Sequence, residues 1–369
     1  MSNYSINGSP AFDEQVDRHM QRIADEVWTS SYSRHWKALV LTGSYGRGEG
    51  TAAAGADGTE RPFGDYNLVV VTTKINSLIC GALNLLGKRL TAGLGMPVTL
   101  RPFLRTNLSK KDLSLLNYNL KYGHQVIRGN AKILDRMPDV SPEQIPLSEG
   151  PRLLMNRGKL LLDMRRRLAT KEMLTPEERL QFIRYILKAN LAFGDCVLLM
   201  RNAYVLSCAV KKERIRQIDL TGISDARGLV NAYLDAVKLK EQGNLKLLET
   251  ANMHMWLDET AQRFQDVFLW YERRGLNRKF HDIKRYAKAF PKLGKEGSPL
   301  QNVACNLKTF GPAAVSHPLV HPRLRLYPSI LLLLDDHADL EDVRKLLHFP
   351  DGTFGDLCDY FGQLQQRFS

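Results

Sequence analysis

The residues best suited to chemistry are crowded into Gly43-Ser44-Tyr45-Gly46-Arg47-Gly48-Glu49-Gly50, with Asp65 and Asn67 a short loop further on. Glycines at near-alternate positions let backbone N–H groups converge on an anion, and Ser44 and Arg47 add a hydroxyl and a guanidinium. The chemistry this suits is phosphate binding. Asp65 and Asn67 head the aliphatic and β-branched run Leu68–Val71, which reads as a strand buried on both faces. Their spacing of two puts both side chains on one face of that strand, where two oxygen ligands suit Mg²⁺ or Mn²⁺. Glu49, Asp57 and Glu60 are further acids in the intervening stretch, whose Ala, Gly and Thr content predicts a loop that is mobile without ligand.

This order of an apolar strand, a Gly-Ser turn, a loop and an acid-headed second strand resembles the nucleotidyltransferase superfamily typified by DNA polymerase beta and kanamycin nucleotidyltransferase. Gly43-Ser44 matches its Gly-Ser signature, and Asp65-Tyr66-Asn67 stands where its Asp-x-Asp pair belongs. The resemblance implies a nucleoside triphosphate bound by Gly43, Ser44, Gly46 and Arg47, and two Mg²⁺ ions held by three carboxylates. It also implies transfer of a nucleoside monophosphate to a hydroxyl on a small molecule, a protein or a nucleic acid. Two positions depart from the pattern. The second acid is Asn67, and the place of the third falls on Thr99 or Arg101 in Pro97–Phe103. An amide offers a neutral oxygen without offsetting the charge of the ion, so Asp65 is the one retained acidic ligand, Asn67 a weak second, and the metal is weakly held. Three functions follow: a nucleotidyltransferase, a degenerate member that binds nucleotides or polyanions without transfer, and a basic nucleic-acid-binding protein.

The elements that must position these residues read as an α+β fold: a small mixed sheet in a nucleotidyltransferase-like domain over 1–140, then a mainly helical domain over 150–369 that holds the acceptor, with a possible subdivision near 294–321. Val16, Met20, Ile23, Ala24 and Val27 give Ala11–Ser31 a helical period. Ile75–Leu94 reads as a helix with Leu78, Ile79, Leu83, Leu86 and Leu90 inward. Pro97–Leu104 reads as a strand, Lys110–Tyr122 as a helix, and Gln125–Gly129 as a short strand. Pro138–Pro151 breaks the pattern and marks the boundary.

Beyond the boundary, Leu153–Leu168 is helical and ends in Arg165-Arg166-Arg167, a solvated helix end. Thr175-Pro176-Glu177-Glu178 starts a helix that runs to about Tyr204. Lys188 and Asp195 share a face of that helix two turns apart. Lys-then-Gly-Asp stretches followed by a tyrosine such as Tyr204 resemble those in helical domains behind such transferase domains. That gives Lys188 a phosphate and Asp195 an acceptor or base role, with helix-to-helix pairing the equal alternative. Trp256, Phe264, Phe268, Trp270 and Tyr271 follow a core period. His317 and His321, each followed by a proline, are poorly placed for zinc. Leu324–Leu334 and Leu340–His348 read as buried helices, and Phe354–Phe368 as an amphipathic one.

A net charge of +13 over 369 residues makes nucleic acid a possible partner, although no zinc finger, helix-turn-helix or aromatic ribonucleoprotein motif accompanies it. Five scattered cysteines without a CxxC pair, no signal pattern in Met1–Pro10 and no membrane-length apolar run lead to an expectation of a cytoplasmic protein with reduced thiols and no membrane partner. No GxSxG, GxxxxGK[ST] or HExxH is present, which removes the usual supports for serine hydrolases, P-loop ATPases and zincins.

Overall fold

The structure, a computed structural model, describes residues 3–55, 58–171, 173–245, 251–290 and 296–368. The chain is α+β and forms two compact units: Met1–Pro146 with Asn202–Arg214 and Leu234–Glu249, and Leu147–Arg201 with Ile215–Tyr233 and Thr250–Ser369.

The first unit opens with α1 (Pro10–Trp28), whose start is set by Pro10 in the first turn and by Ser9, which accepts a hydrogen bond from the Phe12 amide. Val16, Met20, Ile23, Ala24 and Val27 are buried, as their period predicts. Then follow β1 (Trp36–Thr42), the single turn α2 (Gly43–Gly46), β2 (Thr51–Ala54), β3 (Glu60–Phe63), β4 (Tyr66–Thr72), α3 (Ser77–Leu94), β5 (Val98–Leu104), α4 (Leu115–Tyr122) and β6 (Gln125–Gly129). The sheet order is β5-β4-β1-β6, with β4 antiparallel to β1 and parallel to β5, and β6 antiparallel to β1. The unbroken apolar run of β4 is explained by a core on each face. Leu68 and Val70 join α1 and α3, whereas Val69 and Val71 pack with Leu108, Leu120, Ile133 and Met137.

Several details differ from the sequence reading. Leu78 is 66% exposed, because Asn76 caps α3 and starts its buried stripe at Ile79. The helix expected over Lys110–Tyr122 begins at Leu115, behind a Ser114 cap. The stretch expected to be a mobile loop forms a hairpin with Thr51 opposite Phe63 and Ala54 opposite Glu60. Its base is fixed by the buried Tyr45 hydroxyl, which donates to the Thr51 and Phe63 carbonyls at 3.0 and 3.2 Å. Asp57 lies outside the described residues. Finally, α6 (Pro176–Met200) stops short of Tyr204, as Asn202 turns to φ 54°. At its start the Thr175 and Glu178 side chains bond each other's backbone N–H reciprocally.

The second unit is built on α5 (Glu149–Thr170), α6 and α9 (Met253–Gly275), with α10 (Ile283–Lys288), α11 (Pro299–Phe310), α12 (Arg323–Leu333), α13 (Leu340–Leu347) and α14 (Phe354–Phe368) around them. Phe264, Phe268, Trp270 and Tyr271 are core residues of α9, and Trp256 is half-buried. The α12 run is buried throughout, while α13 buries only Val343 and Leu347 and is amphipathic. Arg165 is not solvated as expected: it is largely buried, pairs with Asp336 at 2.6 Å and donates to the Leu333 carbonyl at 3.1 Å. Gly294 and Lys295 lie outside the described residues, so the start of the expected loose region is not characterised. Two helices, α7 (Cys208–Gln217) and α8 (Ala226–Gln242), each give one part to the first unit and one to the second.

Candidate functional site

The first-unit site is made where β1 and β4 meet. Their register sets Thr42 opposite Asn67, so the turn that follows β1 lies beside the start of β4. Gly43 takes φ +71°, a left-handed conformation that glycine adopts without a Cβ clash. A Cβ there would stand 3.3 Å from Asn67 Nδ2, so a side chain at this position would crowd the amide. Gly46 is needed for closeness: a Cβ on it would lie 2.5 Å from the Leu41 carbonyl oxygen. Thr42 does not cap the turn, because its hydroxyl donates to the Asn67 carbonyl at 3.0 Å. The Ser44 side chain has no hydrogen-bond partner among the described residues and is half-buried. The turn therefore offers a hydroxyl not committed to the protein.

Asp65 and Asn67 come together as their spacing predicts. The Asn67 amide donates to Asp65 Oδ2 at 2.8 Å. The parallel register puts Thr99 beside Asn67 and Arg101 beside Val69, so the expected place of a third acid carries a hydroxyl and a cation. Three carboxylates would be needed to offset two Mg²⁺ ions, and this strand pair supplies one. The amide N–H₂ is bonded to the one carboxylate of the pair. Among the described residues no group of three His, Cys, Asp or Glu could hold a metal ion. These donors do not fit a two-metal centre.

Glu49 and Arg47 form a buried pair, with Arg47 Nε donating to Glu49 Oε2 at 3.0 Å and side chains 18% and 15% exposed. The other oxygen of Glu49 accepts the Cys208 N–H at 2.7 Å, at the start of α7, and Lys240 of α8 approaches within 3.9 Å. Burial alone would raise the Glu49 pKa, but Arg47, Lys240 and the Cys208 amide hold it below the ordinary carboxylate value. Burial likewise opposes the Arg47 charge, and Glu49 outweighs it, leaving the guanidinium more firmly protonated. Arg47 is thus engaged within the protein: its stem lies against Gly123 and its Nε on Glu49. Glu60 is also spent elsewhere, since it accepts from the Ser9 N–H and hydroxyl at the start of α1.

The remaining candidates lie apart in sequence. Tyr204 is buried in the first unit, where its hydroxyl donates to Asn119 Oδ1 at 3.3 Å and its ring sits 4.3 Å from Lys211 Nζ. Lys188 and Asp195 are half-buried on α6 in the second unit, and neither is without a partner. His321 stands 3.8 Å from Glu296 and His317 packs edge-on against Phe290. The contacts of Cys208 and Lys240 with Glu49 were not readable in sequence, because each joins segments far apart in the chain.

The protein these features define is an α+β chain whose mixed sheet carries a glycine turn after β1 and a carboxylate–amide pair at the head of the antiparallel β4. No family model and no curated protein matches the chain. Among solved structures it is similar to the spectinomycin adenyltransferase AAD(9) from Enterococcus faecialis, crystallised with ATP and spectinomycin, at 12% identity and a TM-score of 0.39 over 67% of this chain and 98% of that one.

Proposed function

We propose that this chain is a nucleotidyltransferase-type protein that binds a nucleoside triphosphate at the Gly43–Arg47 turn and has a degenerate catalytic centre. The observation that carries the reading is the Asn67 amide on the Asp65 carboxylate at 2.8 Å, at the head of β4 beside the Gly43 turn and with Thr99 in register beside it. The layout supports phosphate binding, while the donor set lacks the acids that two ions require. Transfer of a nucleoside monophosphate to a hydroxyl is the activity from which the centre departs. Since metal ions supply most of the charge stabilisation in such chemistry, loss of two carboxylates predicts a rate lower by orders of magnitude.

The test is to incubate the protein with each α-labelled nucleoside triphosphate and Mg²⁺ or Mn²⁺, and to measure binding separately by thermal shift. Binding without label transfer is expected. Rapid transfer to any acceptor overturns the degeneracy, and the absence of binding overturns the nucleotide reading altogether. Repeating the shift with short RNA or DNA at two salt concentrations separates a nucleotide site from a general polyanion groove, whose effect falls steeply with salt.

A further inference from the structure

The helical unit contains a cavity of about 290 Å³ with Arg152 of α5, Tyr271 and Glu272 of α9, and Leu324 and Tyr327 of α12 on its walls. Glu272 is only 6% exposed. Its Oε2 accepts a hydrogen bond from the Tyr286 hydroxyl at 2.9 Å, and Oε1 has no partner among the described residues. The other carboxylates at this end of the bundle are matched. Glu149 takes Arg152 at 2.7 Å, and Glu296 takes Arg323 as well as Arg152 at 3.4 Å. Two carboxylates therefore share two guanidinium groups, and Glu272 has no cation of its own.

An ionised carboxylate in that position lacks a counter-charge, which burial makes costly. An anionic ligand would add repulsion from Glu272 and Glu296, and a neutral one would leave Glu272 uncompensated. We propose that this cavity binds a small organic monocation, an amine whose ammonium group pairs with Glu272 while its apolar body lies against Tyr271, Leu324 and Tyr327. Tyrosine faces suit such a guest, since their π-systems attract cations. The volume is that of roughly ten waters at about 30 Å³ each, which suits an amine of the size of benzylamine. The site lies within the helical unit and does not depend on the nucleotide reading.

The empty cavity should also set the pH dependence. Burial pushes the Glu272 pKa up to about 7, against the pull of Tyr286. Of the groups around it, Arg152, Glu296 and Arg323 are paired, and Tyr271, Tyr286 and Tyr327 are held neutral by burial. His321 is pushed below its ordinary value by burial. Glu272 is therefore the group set to change charge around pH 7. An amine selects its ionised form, about one tenth populated at pH 6 and about nine tenths at pH 8, so affinity should rise about ninefold over that range.

The full chain is titrated with benzylamine, a cation at both pH values, and with benzyl alcohol, its neutral counterpart, by calorimetry. Expected are saturable binding of benzylamine alone, the ninefold gain, and loss of binding in Glu272→Gln, which keeps an acceptor for Tyr286. Calorimetry on the unaltered protein at pH 7 in two buffers of different ionisation heat should show about half a proton released per amine bound, so the test stands even if the variant misfolds. Equal binding of benzyl alcohol, no binding of benzylamine, no proton release, or full binding by a folded Glu272→Gln overturns the proposal.

Discussion

Glu49→Gln separates a structural acid from a catalytic one. The substitution keeps an oxygen for the Cys208 N–H and removes the charge that faces Arg47 at 3.0 Å and Lys240 at 3.9 Å. At a separation of about 4 Å and an effective dielectric of about 20, one such pair is worth about 4 kcal/mol before desolvation. Removing one partner of a buried pair costs about 3–5 kcal/mol, because the remaining charge stays buried, and two cations remain here. Retention of the Cys208 contact places the expected loss at the lower end, about 3 kcal/mol. The assay is urea unfolding followed by circular dichroism, with hydrogen exchange of 202–214 as a local readout and Glu14→Gln as control. Glu14 meets Arg18 at 3.9 Å with both side chains well exposed, so its loss should stay within about 1 kcal/mol. The double variant Arg47→Met with Glu49→Gln should lose less than Glu49→Gln alone, since the orphaned guanidinium is gone. A Glu49→Gln loss no larger than the control, or strict additivity in the double variant, refutes the reasoning.

The same carboxylate gives a pH prediction with a definite sign. Its folded pKa lies below the ordinary 4.5, so its stabilisation is complete above that value and is lost as pH falls through the folded pKa; the gap between wild type and Glu49→Gln should close in acid unfolding curves below about pH 4. Asn67→Asp sets two carboxylates side by side in place of the 2.8 Å amide contact, and should cost about 1–3 kcal/mol without metal and regain stability with Mg²⁺, as read by melting temperature. Equal melting temperatures with and without Mg²⁺ would show that residue 67 does not face an ion. Gly46→Ala forces a Cβ to 2.5 Å from the Leu41 oxygen and should lose about 1–3 kcal/mol along with nucleotide binding, while Ser44→Ala should weaken nucleotide binding by about tenfold and leave the urea midpoint unchanged. Phe264→Ala, at a fully buried position, should cost about 3–5 kcal/mol in the second unit.

The parts of the fold that could be read from sequence are those whose cause is local. The α1 stripe, the Thr175–Glu178 helix start and the β4 run all follow from spacing, because burial on one face or two imposes a period. Asp65 and Asn67 were legible for the same reason: two residues apart on a strand is one face. The hairpin of β2 and β3 was missed, since Ala and Gly carry little strand preference and the brace is a tyrosine hydroxyl reaching two carbonyls. The contacts of Glu49 with Cys208 and Lys240 were not legible, because the chain that makes them is remote in sequence. Spacing cannot show which acid a distant amide and a distant ammonium will take.

That distinction bears on how far a glycine signature identifies a phosphate site. Gly46 is required by the Leu41 carbonyl, and Gly50 by the Tyr45 ring, where a Cβ would stand 2.5 Å away. Both glycines have packing reasons that hold whether or not a phosphate binds. Arg47 and Glu49, the charged members of the motif, are likewise committed to each other. Packing alone therefore accounts for most of the motif. Ser44 is the exception. Its side chain is unengaged among the described residues, while Thr42 beside it is turned to the Asn67 carbonyl. A side chain with no structural task, set between Gly43 and the Tyr45 brace, is the part of the motif that packing leaves unexplained, and Ser44→Ala is therefore the substitution that separates phosphate binding from packing.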